Sequence, residues 1–502
     1  CIRDRIYSGN HYEAVEKDSN GKLRFVSGIN PRSFSWELTP ETHFDTPEAV
    51  LSYSSNGYGG LSRQLHSFIR EHIVRGVWKK SPRPVLLNSW EACYFKIDER
   101  KLLQLAKAGA DVGIELFVMD DGWFLGRNDD TSSLGDWKPD PKKLPGGIAS
   151  LSKKIKALGM DFGLWVEPEM ISENSNLYKE HPDWAMMIPG HPHSEGRNQR
   201  LLDLCNPEVQ QYVIDSMTKV FSSGDIRYVK WDMNRNFSDI YSPYLPAAKQ
   251  GETAHRYVLG LYHIMDELTT RFPEILFEGC SSGGNRFDLG ILNYFPQIWA
   301  SDNTDALCRT GIQNSYSYGY PLSVFTAHVS SCPNHQTLRI TPLETRFQVA
   351  SFGVLGYECN LKDLSGSDLN AIREQIALYK KWREVFQFGT FYRGTENEDS
   401  DSETLSWTCV SPDGRRAVGL FFRRLTTPNQ SHDWYRPVGL LPDVKYHFYG
   451  RNIKYNLKDF GDLVNTVSPV HIKQGSALQE ILSRFVNMDG EKEDLTAYGD
   501  TL

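Results

Sequence analysis

Acidic and aromatic residues cluster in six short segments of this chain, each at the end of an apolar run. The segments are 88–91 (Asn-Ser-Trp-Glu), 120–123 (Asp-Asp-Gly-Trp), 165–169 (Trp-Val-Glu-Pro-Glu), 230–234 (Lys-Trp-Asp-Met-Asn), 278–281 (Glu-Gly-Cys-Ser) and 299–303 (Trp-Ala-Ser-Asp-Asn). Aromatic rings pack against the C–H faces of a pyranose, and carboxylates and lysine bind its hydroxyls through charge-assisted hydrogen bonds. If the fold brings these segments together, they are suited to binding and cleaving a sugar.

Two aspartates are candidates for the cleavage itself. Lys230 and Asp232 are two residues apart on a predicted strand, so they face the same way. The ammonium group would favour an ionised carboxylate, as a nucleophile requires, although a purely structural ion pair is the alternative. Asp302 follows an apolar run and Trp299, surroundings that favour a protonated carboxyl group and therefore a general acid. Asp305 either competes for that role or caps the next helix.

The separation of the two carboxyl groups would decide the stereochemistry. A distance of about 5–5.5 Å predicts retention at the anomeric carbon, and about 6.5–9.5 Å predicts inversion. The sequence leaves both outcomes open.

Other chemistries fit these segments less well. A single tryptophan at a strand end more often packs in a core, and a single aspartate more often caps a helix, but many carboxylate caps on one face would repel each other. The acidic pair at 120–121 and the His-Pro-His loop at 191–193 lack the spacing of known metal-ligand motifs, so we predict no metal and no cofactor. Cys280 has no histidine nearby in the sequence, which favours a small residue lining the site over a thiol nucleophile.

From residue 84 onward, eight short apolar runs alternate with amphipathic helical stretches. This alternation is typical of βα units and predicts a (β/α)8 TIM barrel, a fold of the α/β class whose strands all end at one mouth. An open doubly wound sheet would share the alternation, but no glycine-rich phosphate loop follows any run. The predicted strands are 85–90, 115–123, 162–170, 228–234, 275–280, 297–303, 322–328 and 347–357, and the predicted helices include 98–110, 148–158, 208–221, 255–271 and 367–385.

Both ends of the chain have the pattern of β structure. Strands are predicted at 23–27, 34–38 and 49–53, followed by a helix at 61–77, and again at 404–410, 416–423, 445–448 and 470–472, with a hairpin turn at 411–414. We therefore expect three parts. Residues 1–79 would be a β segment with a linker helix, 80–388 the barrel, and 389–502 a C-terminal antiparallel β-sandwich.

The composition is that of an ordinary globular protein, with 40% hydrophobic residues, 24% charged residues and a net charge of −8 over 502 residues. Basic residues do not cluster, so no nucleic-acid partner is expected, and the apolar runs stop short of the roughly 20 residues that span a membrane. Eight irregularly spaced cysteines are typical of reduced thiols and a cytoplasmic location. A start at Cys1 without Met or a signal peptide favours a fragment over a lipoprotein.

Six motifs, taken in this order, resemble those of the α-galactosidases of glycoside hydrolase family 36. They are NSWEACYF (88–95), FVMDDGWF (117–124), GLWVEPEM (163–170), YVKWDMNR (228–235), CSSGGNRFD (280–288) and WASDNTDA (299–306). The resemblance extends from about residue 29 into the C-terminal region, and it implies a retaining α-galactosidase with an N-terminal β-supersandwich, a barrel and a C-terminal sandwich. It also implies a homo-oligomer, a tetramer in many bacterial members. The short segment before the barrel predicts that this chain starts inside the N-terminal domain, so the resemblance implies that residues 1–79 are a partial N-terminal β-sandwich.

Carried over residue by residue, the resemblance makes Asp232 the nucleophile and Asp302 the acid/base. The other positions would bind the sugar. Asp120 and Asp121 would take its 4- and 6-hydroxyls, Lys230 its 3- and 4-hydroxyls and Trp165 its ring face, with Trp90 and Arg197 towards the leaving group and Cys280 with Gly283 around the 2-hydroxyl. A member acting on N-acetylgalactosamine would need more room at that last place, so the CSSGG sequence favours plain galactose.

Several functions fit these residues. The leading hypothesis is hydrolysis of terminal α-linked galactose, mainly α-1,6-linked as in melibiose and raffinose, by double displacement. Galactosyl transfer to a sugar acceptor, as in plant raffinose and stachyose synthases, or cleavage of α-N-acetylgalactosaminides would use the same site. A non-catalytic sugar-binding protein is a further alternative, but it would have no need of a matched nucleophile and acid.

Overall fold

The computed structural model describes residues 2–194, 196–394, 403–425, 434–451, 453–490 and 492–502. The chain divides into two compact units, residues 1–391 and 392–502. Within the described ranges, no helix combines the length and apolar character needed to cross a membrane.

Eight parallel strands of the first unit close into a barrel in which neighbours follow chain order, which confirms the predicted TIM barrel. The strands are β1 (Leu86–Asn88), β2 (Leu116–Met119), β3 (Asp161–Val166), β4 (Ile226–Trp231), β5 (Leu276–Gly279), β6 (Gln297–Trp299), β7 (Phe325–Ser330) and β8 (Val354–Glu358). Strand β8 closes the ring by pairing Gly356 with Leu86 and Tyr357 with Leu87 on β1. Almost every strand residue is buried, which explains why the runs are continuously apolar rather than alternating.

Several helices between these strands begin at side-chain caps. Asp98 accepts a hydrogen bond from the backbone of Lys101, Asn206 precedes a helix with proline in its first turn, and Ser365 forms a capping box with Asp368. The α-helices of this region are Trp90–Cys93, Glu99–Val112, Gly147–Ala157, Asn176–Glu180, Pro207–Phe221, Thr253–Arg271, Leu289–Leu292, Ala306–Tyr316, Leu343–Ala350 and Gly366–Phe388, with 3-10 turns at Pro182–Trp184, Ala247–Glu252, Leu322–Val324 and Leu361–Asp363. A two-stranded ribbon pairs Met170–Ile171 with Arg200–Leu201.

Two predicted barrel strands were placed wrongly. The run at 347–357 contains the end of helix Leu343–Ala350 and most of β8, and the run at 322–328 begins with a 3-10 turn before β7. A short apolar run fits a buried helix as well as a buried strand, so its periodicity cannot locate the boundary.

The N-terminal segment of the first unit is built from antiparallel pairs. Strand Ile2–Arg5 pairs with Ala49–Ser52, and His11–Lys17 forms a hairpin with Leu23–Ile29. The predicted strand at 34–38 is wrong, because Phe34 and Trp36 instead place their rings 6.3 and 5.5 Å from the ring of His255. The predicted helix at 61–77 consists of α-helix Gly57–Phe68, π-helical turn Ile69–Ile73 and the start of a 3-10 turn, Val77–Lys79.

The second unit is antiparallel, as predicted. Strands Thr404–Val410 and Ala417–Arg423 form a hairpin through the predicted turn at 411–414, where Gly414 has a φ of +68°. Two further pairs join Lys445–Tyr449 to Asp494–Tyr498 and Lys454–Asn456 to Asn487–Asp489, and strand Thr390–Arg393 spans the boundary between the units.

One strand predicted in the second unit is wrong. Residues 470–472 form no strand, and Ile472 is instead buried with Leu457 and Val464. These two partners belong to the 3-10 segment Leu457–Thr466, which together with helix Ala477–Leu482 adds helical structure where none was expected.

Candidate active site

A cavity of about 180 Å³ opens where the carboxyl ends of the barrel strands meet. Pockets for drug-sized ligands are roughly 300–1,000 Å³, so this smaller cavity suits a ligand of one ring. Every residue predicted for the site except Gly283 lines it. The lining residues are Trp90, Glu91, Asp120, Asp121, Trp165, Arg197, Lys230, Asp232, Asn234, Cys280, Trp299, Asp302, Thr304, His335, Gln336 and Glu358.

Asp232 follows the last residue of β4 and is held by three donors. Its Oδ2 accepts hydrogen bonds from the indole N–H of Trp165 at 3.1 Å and the side-chain amide of Asn234 at 2.7 Å. Its Oδ1 accepts the backbone N–H of Met233 at 2.8 Å. Donors on both oxygens hold this carboxyl group in one orientation.

Asp302 lies three residues beyond the end of β6 and has a different environment. The indole N–H of Trp299 donates to Oδ1 at 2.8 Å. Among the described residues, Oδ2 accepts no hydrogen bond, so this oxygen is available to carry a proton towards a ligand. The carboxyl groups of Asp232 and Asp302 are therefore equipped for different tasks.

Lys230 and Asp232 line the same cavity and interact electrostatically, but the ion pair of Lys230 is made with another residue, so the alternative of a structural pair between these two is not formed. The Nζ of Lys230 lies 3.0 Å from Oδ2 of Asp120, which also accepts the side-chain amide of Asn88 at 2.7 Å. Burial alone would lower the pKa of Lys230, but the Asp120 carboxylate raises it well above its ordinary value, so the ammonium stays charged. The ion pair joins the ends of β2 and β4, which only the closed barrel brings together.

The neighbouring Asp121 forms a second buried pair. The Arg127 guanidinium donates to both of its oxygens, with 2.8 Å between Nη2 and Oδ2. Burial raises the pKa of Asp121 in spite of this arginine. Asp120 and Asp121 thus present fixed acceptors on one side of the cavity.

Trp90 and Arg197 lie at the rim of the cavity. The Trp90 ring makes edge contacts of 5.2 Å with the rings of Tyr94 and Phe95 and is half-buried. Arg197 is exposed three residues before the strand Arg200–Leu201 and has a φ of +52°, an uncommon conformation for a residue with a side chain. Both side chains therefore lie at the solvent-facing edge of the cavity.

Cys280 and Gly283 follow β5. Burial and the charge of Asp232 raise the pKa of Cys280 well above its ordinary value, so a neutral thiol lines the cavity and a thiolate nucleophile is disfavoured. Gly283 has a φ of +83°, and a Cβ there would lie 2.9 Å from the backbone nitrogen of Asp302 and from Cα of Ser301. The glycine is required because this turn packs directly against the segment that carries Asp302.

Sequence reasoning did not assign seven of the lining residues to the site: Glu91, Asn234, Trp299, Thr304, His335, Gln336 and Glu358. Glu91, Asn234 and Trp299 belong to the strand-end segments and could have been found by their position alone. Glu358 is the last residue of β8, and the misplaced boundary of that strand hid it. Thr304 lies inside the WASDNTDA motif, one residue beyond the segment 299–303, whereas His335 and Gln336 lie on a loop without a recognisable motif.

Glu91 and Glu358 make this side of the cavity sensitive to pH. Burial, together with the nearby Glu358 carboxylate, raises the pKa of Glu91 to about 7, and burial raises the pKa of Glu358 to about 7. Glu91 accepts the Thr304 hydroxyl at 3.1 Å and lies 3.3 Å from Nδ1 of His335. Burial lowers the pKa of His328 to about 3, so its 2.8 Å contact with Glu358 is a hydrogen bond of a neutral ring.

Glu167 is buried close enough to Asp232 to interact with its charge, but it does not line the cavity. Its Oε1 accepts the side-chain amide of Gln199 at 2.7 Å and the backbone N–H of Asn234. Burial and the charge of Asp232 raise the pKa of Glu167 to about 8. This carboxyl group therefore ties the loop after β4 to the loop that carries Arg197.

The competing interpretation of Asp305 is settled in favour of a cap. Asp305 accepts the backbone N–H groups of Leu307 and Cys308 at the start of helix Ala306–Tyr316 and pairs with Arg339 at 2.8 Å. In the part of the chain that the structure describes, no three His, Cys, Asp or Glu side chains are grouped as a metal site would require.

Models of three protein families match the chain. They are Melibiase over residues 43–389, the glycosyl hydrolase family 36 N-terminal domain over 4–39 and the C-terminal domain of that family over 404–502. Among curated proteins, alpha-galactosidase AgaA of Geobacillus stearothermophilus is 46% identical over 89% of this chain and 61% of its own length. Alpha-galactosidase Mel36A of Lactobacillus acidophilus is 47% identical over 88% of this chain and 60% of its own length.

Solved structures give the same result. The crystal structure of AgaA has a TM-score of 0.86 and 46% identity, covering 89% of this chain and 62% of that chain. A variant of AgaA in complex with raffinose has a TM-score of 0.87, with the same identity and coverage. The present chain spans about 60% of the length of the curated relatives it matches. With the Melibiase model covering more than half of its residues and relatives at 46–47% identity, the chain belongs to glycosyl hydrolase family 36.

Proposed function

We propose that this chain hydrolyses terminal α-linked galactose, mainly α-1,6-linked as in melibiose and raffinose, with retention of configuration. The observation that carries the proposal is that Asp232 and Asp302 line one cavity, each oriented by an indole N–H but in different environments. The relatives named alpha-galactosidases, one of them solved with raffinose, support galactose as the sugar.

In the first step, a carboxylate oxygen of Asp232 attacks the anomeric carbon while Asp302 gives its proton to the departing oxygen. A galactosyl ester of Asp232 forms and the glycosidic bond breaks. In the second step, Asp302 takes a proton from water, the water oxygen attacks the anomeric carbon, and the ester bond to Asp232 breaks. Two inversions give net retention.

The binding residues have complementary tasks in this proposal. Asp120 and Asp121 accept hydrogen bonds from the 4- and 6-hydroxyls, and Lys230 donates to the 3- and 4-hydroxyls. Trp165 packs against the sugar while its N–H holds Asp232. Trp90 and Arg197, which lie at the rim, contact the leaving group. Cys280 lines the space around the 2-hydroxyl, and Gly283 lets the segment of Asp302 approach.

We also propose the division into residues 1–79, 80–388 and 389–502, a homo-oligomeric assembly and a cytoplasmic location. Support for the C-terminal boundary comes from the Melibiase model, which ends at residue 389. Support for a reducing compartment comes from the seven described cysteines, all of which have free thiols. Light scattering of the purified chain tests the assembly, and thiol titration of freshly lysed cells tests the compartment.

The function is tested with 4-nitrophenyl α-galactoside beside its α-N-acetylgalactosaminide and α-glucoside counterparts. We expect selective release from the galactoside, and NMR of early product should show α-galactose before mutarotation. Asp232→Ala should lower kcat by about 10⁴-fold or more while galactose binding persists. Asp225→Ala, at the other end of the same strand, is the matched control. Preferential release from the N-acetyl sugar, or full activity of Asp232→Ala, would contradict the assignment.

A further inference from the structure

Arg309 is buried on helix Ala306–Tyr316, with 3% of its surface exposed, and points its guanidinium at the segment of Asp302. Its Nε donates to the carbonyl of Asn303 at 2.7 Å and its Nη2 to the carbonyl of Ser301 at 2.6 Å. Its Nη1 donates to the carbonyl of Thr326 on β7 at 3.2 Å. One side chain therefore holds the peptide groups on both sides of Asp302 and ties them to the barrel.

The same guanidinium contacts the residue that orients Asp302. Its central carbon lies 4.5 Å from the centroid of the Trp299 ring, and the Trp299 indole donates to Oδ1 of Asp302. The His328 ring packs against Trp299 with 4.5 Å between centroids. Arg309 thus restrains Asp302 through its backbone and through its hydrogen-bond donor.

Among the described residues, no carboxylate forms an ion pair with Arg309. Burial lowers the pKa of Arg309 to about 10, and the charge of Asp302 is the largest influence in the opposite direction. The guanidinium is therefore charged at neutral pH and buried, an arrangement that is costly without a nearby anion.

We propose that Arg309 is a positioning residue for Asp302. Arg309 fixes the backbone on both sides of Asp302 and places a positive charge beside its carboxyl group. The inference rests on the proposed function, because it concerns the acid/base role of Asp302. When Asp302 gives its proton to the leaving oxygen it becomes an anion, and the guanidinium stabilises that anion at fixed geometry. When Asp302 then takes a proton from water, its carboxylate becomes neutral again.

Other charged and titratable groups surround both residues and remain in place when Arg309 is changed. Asp302 interacts electrostatically with Cys280 and Glu358, and Lys230 lies 5.8 Å from the ring centroid of Trp299. Besides Asp302, Arg309 interacts with Glu278, Tyr316 and Glu358. A difference between Arg309→Lys and Arg309→Gln therefore reports the positive charge, and a change common to both reports the geometry of the guanidinium.

The test compares Arg309→Lys and Arg309→Gln on two substrates, 4-nitrophenyl α-galactoside and melibiose. Proton donation matters more for the sugar leaving group of melibiose than for 4-nitrophenolate. The loss of kcat/KM should therefore be at least about tenfold larger for melibiose than for 4-nitrophenyl α-galactoside. In Arg309→Gln the alkaline limb of the pH profile should also move to higher pH, because a buried positive charge is removed from the site. Arg309→Lys keeps the charge and should leave that limb in place.

Arg83 provides the matched control. It too is a buried arginine that donates to backbone carbonyls, those of Ser81 and Pro296, with a pKa lowered to about 10 by burial, but it lies before β1 at the opposite end of the barrel. Arg83→Gln should affect both substrates equally and leave the pH profile unchanged. If both Arg309 variants also affected the two substrates equally and left the pH profile unchanged, the proposal would be overturned.

Folding and function are controlled separately. Thermal melting shows whether each variant is folded, and if Arg309→Gln is not, the substrate comparison in Arg309→Lys decides by itself. If the native chain cleaves neither substrate, the proposed function fails and the role of Arg309 fails with it.

Discussion

Lys230 and Asp120 form a buried ion pair, with 3.0 Å between Nζ and Oδ2, across the mouth of the barrel. Their side chains are 10% and 4% exposed, so solvent screens the pair little. The charge on Asp120 keeps Lys230 protonated, and Lys230 in turn fixes Asp120 as an acceptor. Lys230, which lies beside the nucleophile candidate Asp232, thus pairs with a residue 110 positions away in the sequence.

Removing the Lys230 cation alone should lower the unfolding free energy more than removing both charges of the pair. Lys230→Met leaves the Asp120 carboxylate buried without its partner, which should cost about 3–5 kcal/mol of unfolding free energy. Adding Asp120→Asn should recover part of that loss, as urea unfolding of the single and double variants will show. A double variant that is as unstable as the two single effects added together would mean that the pair is not coupled.

Asp302 and Asp305 should be separable by substrate. Asp302→Ala removes the proton donor and should lower kcat/KM for melibiose by about 10²–10⁴-fold, with a smaller loss for 4-nitrophenyl α-galactoside. Asp305→Ala removes a helix cap, which should lower stability by about 0.5–2 kcal/mol through the cap alone. It should affect the two substrates equally. The ratio of the two kcat/KM values checks both expectations, and a leaving-group dependence in Asp305→Ala would reverse the roles assigned to them.

The raised pKa of Glu167 should make the chain less stable at higher pH. In the unfolded chain this carboxyl group titrates near 4.5, whereas in the folded chain its pKa is about 8. Between these values the folded chain holds a proton that the unfolded chain has lost, so the unfolding free energy falls as pH rises through this window. Glu167→Gln cannot lose that proton, and its thermal midpoint should fall less between pH 5 and pH 8, as melting curves at several pH values will show.

The size of that effect is on the order of a few kcal/mol over the whole window. Glu173→Gln is the control, because the Glu173 side chain is about half exposed. We expect the thermal midpoint of this control to change with pH as that of the native chain does. Parallel curves for the native chain and Glu167→Gln would show that Glu167 is not held protonated.

Gly283→Ala should disturb the segment of Asp302. The added Cβ would meet the backbone of Ser301 and Asp302 at 2.9 Å, and the φ of +83° is strained for any residue with a side chain. We expect kcat to fall by about tenfold or more, together with a loss of stability. Gly311→Ala, where a Cβ meets nothing within 4 Å on helix Ala306–Tyr316, should leave kcat unchanged and raise stability slightly. Equal kcat values for the two variants would contradict this view of Gly283.

The sequence by itself determined the barrel and the position of its site. Buried strands and amphipathic helices leave local, periodic signals, and eight such units in succession predict a closed parallel barrel. Because strand ends meet at one mouth, Asp120, Trp165, Asp232 and Asp302 could be placed together from their positions alone, and they line one cavity. Spacing along one strand correctly put Lys230 and Asp232 on the same face, but it could not give their partners.

Only the tertiary structure decided which side chains touch. Lys230 pairs with Asp120, and Glu358 enters the site from β8, because the register of a closed barrel brings together strands that are far apart in sequence. Arg309 reaches Asp302 only because its helix packs back against β7 and the segment after β6. Such contacts depend on side-chain packing and on backbone carbonyls that carry no residue-specific signal, so no pattern of residue types along the chain predicts them.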